Sequence, residues 1–261
     1  MPTALVTGAS SGIGEGLAER FARAGFDLVL VARRVEVLQA LADRLAPAHG
    51  VKVRVLGADL AEAGAAQALA AQLRRRRVVV DVLVNNAGIL AHGRFAEMKP
   101  AQVQGLIDLN IAGLTAMLAA FVPAMCERGQ GRVLNVASIA AFQPVPTLAV
   151  YAASKAYVLS LSESLAEELR PQGVTVTALC PGITATPMLS GAQDANSALN
   201  RIPKLLVSQM EAVAELGFSA CMRGDAIAVP GLLNRAGTMA GRALPKWLVR
   251  RMAGAVTRQL E

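Results

Sequence analysis

The sequence predicts an α/β fold, with one doubly wound parallel sheet of about seven strands in a single domain. Three observations carry this expectation. Short apolar runs alternate with stretches of helical periodicity along the chain, and a glycine-rich turn joins the first run to its helix. The 261 residues are 54% hydrophobic and 17% charged, enough to bury one large core, and no linker divides them.

Ala4 to Val6 is the first strand. Thr7-Gly8-Ala9-Ser10-Ser11-Gly12-Ile13-Gly14 then turns the chain into a helix from about Glu15 to Ala24, which Gly25 ends. Such glycines let the backbone turn tightly and approach a diphosphate, while the helix N-terminus aims free N–H groups at the charge. A plain connecting turn is the alternative. Leu28 to Val31 is the second strand, apolar throughout as suits a strand covered on both faces. Arg33 and Arg34 follow it, where a dinucleotide-binding fold places an acid to read a ribose 2′-hydroxyl or an arginine to hold a 2′-phosphate. With no acid there, NADP(H) is expected over NAD. The alternative is a pair of solvated arginines opening the Leu38, Leu41, Leu45 helix.

Val51, Val53 and Val55 alternate with Lys52 and Arg54, which predicts a third strand at the sheet edge, as an order beginning 3-2-1-4 requires. Asp59 and Leu60 come just after it, in position to meet an adenine. Arg74 to Arg77 ends a helix with solvated charge. Val82 to Val84 is the fourth strand, followed by Asn85-Asn86-Ala87-Gly88 and by two helices, about Ala101 to Asn110 and Ile111 to Cys126. Val133 to Val136 is the fifth strand and delivers Ser138 at its carboxyl end, the edge along which ligands bind in open α/β sheets. Thr147 is expected to cap the next helix, which runs through Leu165 and Leu169 until Pro171 and Gly173 stop it. Val174 to Cys180 is the sixth strand, ending in Pro181-Gly182.

Within that helix, Tyr151 and Lys155 are four residues apart and share a face. A phenol with a pKa near 10 is a poor acid or base at neutral pH. A lysine ammonium at about 4 Å, with an effective dielectric near 20, favours the phenolate by roughly 4 kcal/mol and would bring it close to 7. Neither residue type is common enough for the pair to be ignored, although an ordinary amphipathic helix is the plain alternative.

Beyond Met188, the region of about 187–225 is expected to select the substrate. Ala192 to Leu206 is read as a lid with breaks at Gly191 and Pro203, and Ser208 to Glu211 as a capping box opening a helix to about Met222, closed by Gly224. Ala226 to Val229 is the last strand. Residues of about 231–261 form a basic amphipathic tail, with Arg235, Arg242, Lys246, Arg250, Arg251 and Arg258 set among Leu232, Leu233, Leu244, Trp247, Leu248, Val249 and Met252. Peripheral contact with an anionic membrane is one use for it, and cover over a neighbouring subunit or the substrate mouth is the other.

Composition removes several classes of function. Net charge is +7, yet interleaved aromatics, a zinc pattern and a helix-turn-helix are all missing, so nucleic acid is not an expected partner. Cys126, Cys180 and Cys221 are odd in number and form no Cys-x-x-Cys pair, against a disulfide framework or a zinc site. No secretory signal is legible at the N-terminus, and the uncharged stretches carry Asn, Gly, Ser, Gln or Pro at intervals, so a cytoplasmic protein without a membrane span is expected. His49 and His92 are read as surface or capping residues.

The Gly8/Gly12/Gly14 loop, Asn85-Asn86-Ala87-Gly88, Asn110, Ser138, Tyr151 with Lys155, and Pro181-Gly182 resemble, in order and spacing, the motifs of the short-chain dehydrogenase/reductase family. The resemblance covers residues 3 to about 190 and implies a Rossmann-like sheet and an NADP(H)-dependent oxidoreductase interconverting a carbonyl and an alcohol. It implies that Tyr151 exchanges a proton with the substrate oxygen and that Ser138 hydrogen-bonds the same oxygen. Lys155 would lower the tyrosine pKa and hold the nicotinamide ribose, while Asn110 would bend its helix and hold a water leading to Lys155. Gly8, Ser10, Ser11, Gly12, Ile13, Gly14, Arg33, Arg34, Asp59, Leu60, Asn86, Ala87 and Gly88 would line the coenzyme. So would Pro181, Gly182, Ile183 and Thr186 at the nicotinamide. The expectation is a cytoplasmic homodimer or homotetramer, free of metal, acting on an apolar molecule. Reduction of long 3-oxoacyl thioesters or steroid-like ketones at a membrane is one alternative, and a non-catalytic NADP-binding sensor or scaffold is the other.

Overall fold

Thr3–Thr7 is buried along its whole length and forms β1, an interior strand of the sheet. It is flanked by β2 (Asp27–Ala32) and β4 (Val82–Asn85), and the sheet is completed by β3 (Val53–Gly57), β5 (Gly131–Val136), β6 (Val174–Leu179) and β7 (Ile227–Ala228). All neighbours are parallel and the order is β3-β2-β1-β4-β5-β6-β7. The computed structural model describes residues 1–190, 207–231, 234–238, 247, 249–251 and 254. The expected lid from Ala192 to Leu206 lies outside the described residues, as does most of the tail, including Leu232, Leu233, Arg242, Leu244, Lys246, Leu248, Met252 and Arg258.

Strand residues alternate between two cores. Ala4, Val6, Leu28 and Leu30 face one layer, made by α1 (Gly12–Arg23), α2 (Val35–His49) and α7 (Met210–Arg223). Leu5, Val29, Leu83 and Val133 face the other, made by α3 (Ala65–Arg75), α5 (Leu114–Glu127) and α6 (Ala149–Glu168). Both faces being covered, the strands read as continuous apolar runs. The third strand is at the edge, as its alternating pattern requires, although it begins at Val53 rather than Val51. Chain direction along the sheet order diverges between β1 and β4, and the crevice beyond their carboxyl ends is where the glycine turn and the Asn86-Ala87-Gly88 turn meet.

Three local expectations change. The two helices expected around Asn110 are one, running from α4 (Pro100–Ile107) through a π turn at Asp108–Gly113 into α5. Close approach explains the turn, since Gly113 lies so near the Leu60 carbonyl that a Cβ would fall 2.3 Å from its oxygen. Thr147 does not cap α6: Leu148 holds that position, Thr147 has φ +64°, and its hydroxyl donates to the Pro146 carbonyl at 2.6 Å. Ser208 does not cap α7 either. Its backbone bridges to Thr184 and its N–H donates to the Ile183 carbonyl at 2.8 Å, leaving Gln209 before the helix.

Candidate active site

The ends of β1 and β4 are locked together by one side chain. Thr7 Oγ1 donates to the Val84 carbonyl and accepts from the N–H groups of Asn86 and Ala87, each at 3.0 Å, while Asn86 Nδ2 donates to the carbonyls of Thr7 and Gly8 at 3.0 and 3.2 Å. The glycine turn passes through this lattice with no room for a side chain. A Cβ on Gly14 would fall 2.3 Å from Asn86 Nδ2 and 2.4 Å from Gly8 O, and Gly8 and Gly12 hold φ values of +64° and +59°.

Beyond the turn lies a cavity of about 620 Å³. Its walls bring together Gly8, Ser10, Ser11, Gly12, Ile13, Arg33, Arg34, Asp59, Leu60, Asn86, Ala87, Gly88, Ser138, Tyr151, Lys155, Pro181, Gly182, Ile183 and Thr186. Two expected residues stand behind the wall: Gly14, under the turn, and Asn110. At one end Arg34 donates to both the carbonyl and the hydroxyl of Ser10 at 3.1 Å, and Arg33 pairs loosely with Asp59 at 3.5 Å. A polyanion placed there would meet two guanidinium groups and backbone N–H donors, so the residues present fit a 2′-phosphorylated dinucleotide.

At the other end Ser138, extended at the head of the 3-10 turn Ile139–Phe142, accepts from Ala140 N–H at 3.1 Å. It is therefore a cap, and it lies near enough to the phenol of Tyr151 to favour its ionised form. Lys155 is buried, with Nζ donating to the Val136 carbonyl at 2.8 Å and standing 5.8 Å from the centre of the Tyr151 ring. Burial pulls its ammonium down to about 8. Asn110 is fixed by its π turn so that its amide grips the backbone of Ile89, accepting from the N–H and donating to the carbonyl at 2.9 Å each, and it donates to Ser154 at 3.2 Å. Between Asn110 and Lys155 there is room only for Gly88, where a Cβ would fall 3.2 Å from Asn110 Oδ1 and 3.6 Å from Nζ.

One expectation fails in this structure. The phenol of Tyr151 is not drawn toward neutrality; burial pushes it above its ordinary value, and the nearby Ser138 hydroxyl opposes this only in part. The reason is geometric: the ammonium points to the Val136 carbonyl, and the phenol has lost more solvation than its neighbours return. Sequence reading also missed His92. It lines the cavity, as do Leu90, Val145 and Leu148, and its Nε2 is 3.0 Å from Thr147 Oγ1. Its place in the loop after β4, on the ligand-binding edge, was the available signal.

Residues 2–197 match the sequence model of the short chain dehydrogenase family. An uncharacterized oxidoreductase of Myxococcus xanthus is 37% identical over 224 residues, covering 86% of this chain and 85% of the relative. Oxidoreductase UcpA of Salmonella typhimurium is 36% identical over 211 residues, 78% of this chain and 80% of its own. Among solved structures, a short-chain dehydrogenase from Sphingobium yanoikuyae in complex with NADPH is 37% identical, with a TM-score of 0.83 over 92% of this chain and 93% of that one. A bulky-bulky ketone specific alcohol dehydrogenase from Comamonas testosteroni is 31% identical, with a TM-score of 0.78 over 94% and 96%. A seven-stranded parallel sheet, a glycine turn threaded under Asn86, and Ser138, Tyr151 and Lys155 gathered at one end of a cleft agree with these matches: the chain is an oxidoreductase of the short-chain dehydrogenase/reductase family.

Proposed function

We propose that the protein uses NADPH to reduce a ketone or aldehyde on a largely apolar molecule, with Tyr151 giving the proton. The observation that carries this is the phenol of Tyr151 gathered with Ser138 and Lys155 in the same cavity as the Arg33/Arg34 end, with burial keeping the phenol protonated. When bound, the coenzyme supplies hydride. Ser138 and Tyr151 together present two hydroxyls to one substrate oxygen, stabilising charge as it develops there. A tyrosine kept as the acid suits reduction, because the alkoxide formed is a far stronger base than the phenolate left behind. Lys155, titrating at about 8 and backed by Asn110 across Gly88, is the group through which the phenol regains its proton. A water held at the π turn would link it to solvent.

The apolar lining from Ile89, Leu90, Val145, Leu148 and Met188 supports a bulky hydrocarbon partner for the carbonyl, and the name of the Comamonas relative supports the same class. We read the protein as a homo-oligomer of the cytoplasm, and two features support that reading. The helix Pro100–Glu127 is long and apolar enough to cross a membrane by length and composition, yet its core-facing side is buried and only 44% of its most apolar stretch is covered, which leaves a face for a second copy. None of Cys126, Cys180 and Cys221 is in a disulfide. Peripheral membrane contact is favoured by Trp247, which is exposed with Arg251 5.9 Å from its ring.

A panel of aldehydes and ketones followed by NADPH absorbance tests the reading. Turnover of bulky apolar ketones is expected. Tight NADPH binding with no turnover of any carbonyl would replace it with a binding-only role.

A further inference from the structure

His92 lies on the loop between the Asn86-Ala87-Gly88 turn and the 3-10 turn Phe95–Glu97, and it lines the same cavity as Ser138 and Tyr151. Its Nε2 is 3.0 Å from Thr147 Oγ1, whose own proton goes to the Pro146 carbonyl at 2.6 Å. A hydroxyl has one proton, so the proton shared between Thr147 and the imidazole comes from Nε2. In the neutral ring Nδ1 is then an acceptor and nothing else. The main chain ties the same pair again, Gly93 N–H donating to the Thr147 carbonyl at 2.9 Å. Thr147 sits at φ +64°, costly for a β-branched residue, and α6 begins two residues later with Tyr151 in its first turn. Imidazole and phenol are thus held to one short segment. Among the described residues no hydrogen bond reaches Nδ1, and the lining residues nearest to His92 and Thr147 in sequence, Ile89, Leu90, Val145 and Leu148, are apolar.

We propose that His92 determines specificity: its Nδ1 accepts a hydrogen bond from a hydroxyl of the substrate, away from the carbonyl that Tyr151 serves. The substrate class is a largely apolar hydroxy-ketone or hydroxy-aldehyde, which an acceptor nitrogen separates from the matching methyl ether. This deepens the carbonyl-reductase reading and rests on it.

The test is NADPH-dependent reduction of hydroxy-ketones whose hydroxyl is moved stepwise along the chain, each paired with its methyl ether. At the best spacing the native protein is expected to favour the hydroxy compound by about 10-fold in kcat/KM, expressed in KM rather than kcat. His92→Phe should bring the pair to within about 2-fold of each other, and His92→Gln, which keeps one donor and one acceptor, should restore part of the difference. Equal values for every pair in the native protein, or an undiminished preference in His92→Phe, overturns the proposal. If His92→Phe does not fold, Thr147→Ala, which frees the ring from its anchor, must lower the preference instead, and an unchanged preference there is equally fatal. Failure to reduce any ketone, with NADPH still bound, removes the reductase reading and this proposal with it; reduction of ethers and alcohols alike removes only the role of His92.

Discussion

Lys155 offers the clearest link between the site and the stability of the fold. Burial lowers its ammonium from the ordinary 10.5 to about 8, with the neighbouring Cys180 opposing the fall. The folded protein therefore holds this proton less tightly than the unfolded chain. Between about 8 and 10.5 the unfolded chain binds more protons, so this contribution makes stability rise with pH. Below about 8 both states are charged and the folded state bears the whole penalty; above about 10.5 neither is charged and the penalty is gone. The whole penalty corresponds to about 3 kcal/mol. Lys155→Met removes the titration while keeping a chain of similar shape. It also strips the Val136 carbonyl of its 2.8 Å donor, a cost of about 1 kcal/mol that does not vary with pH. Urea unfolding of both proteins at a series of pH values isolates the effect. The native protein should gain about 2 to 3 kcal/mol on Lys155→Met from near neutrality to about pH 10. Parallel pH profiles would mean that Nζ is solvated and that the account of its environment is wrong.

Arg33→Ala removes a guanidinium from the Arg33/Arg34 end of the cavity and should weaken NADPH binding by about 10- to 100-fold with little change for NADH, measured by fluorescence titration. Equal losses for both would mean that no phosphate is read there. Gly14→Ala places a methyl 2.3 Å from Asn86 Nδ2, against a side chain held by the carbonyls of Thr7 and Gly8. A destabilisation of about 2 kcal/mol and a loss of coenzyme binding are expected from urea unfolding and titration, and a variant as stable as the native protein would show the turn to be adaptable. Removing residues 231–261 should reduce sedimentation with anionic vesicles several-fold, whereas identical sedimentation would retire the membrane contact.

Much of this architecture was legible because period and position coincide. Strands covered on both faces read as apolar runs, the edge strand β3 alone showed alternation with Lys52 and Arg54, and the glycine turn opened a helix directly. Ser138, Tyr151 and Lys155 were legible because sheet edges and helix spacing place them. What was hidden depended on contacts distant in sequence. The π turn at Asp108–Gly113 follows from the approach of Gly113 to Leu60, and Thr147 is diverted from capping by His92 and Gly93, some 55 residues away for the histidine. The phenol's upward shift was missed because the spacing of Tyr151 and Lys155 gives their proximity and not the solvation each has lost. His92 was passed over because a lone histidine in a loop carries no pattern.

The role of Tyr151 is tested most directly by Tyr151→Phe, saturated with NADPH and mixed with the best ketone of the panel in a single-turnover experiment. The rate of NADPH oxidation should fall by about 1,000-fold or more, with the NADPH dissociation constant within about 3-fold of native. A rate within about 10-fold of native, with coenzyme binding intact, would contradict the assignment of Tyr151 as the proton donor.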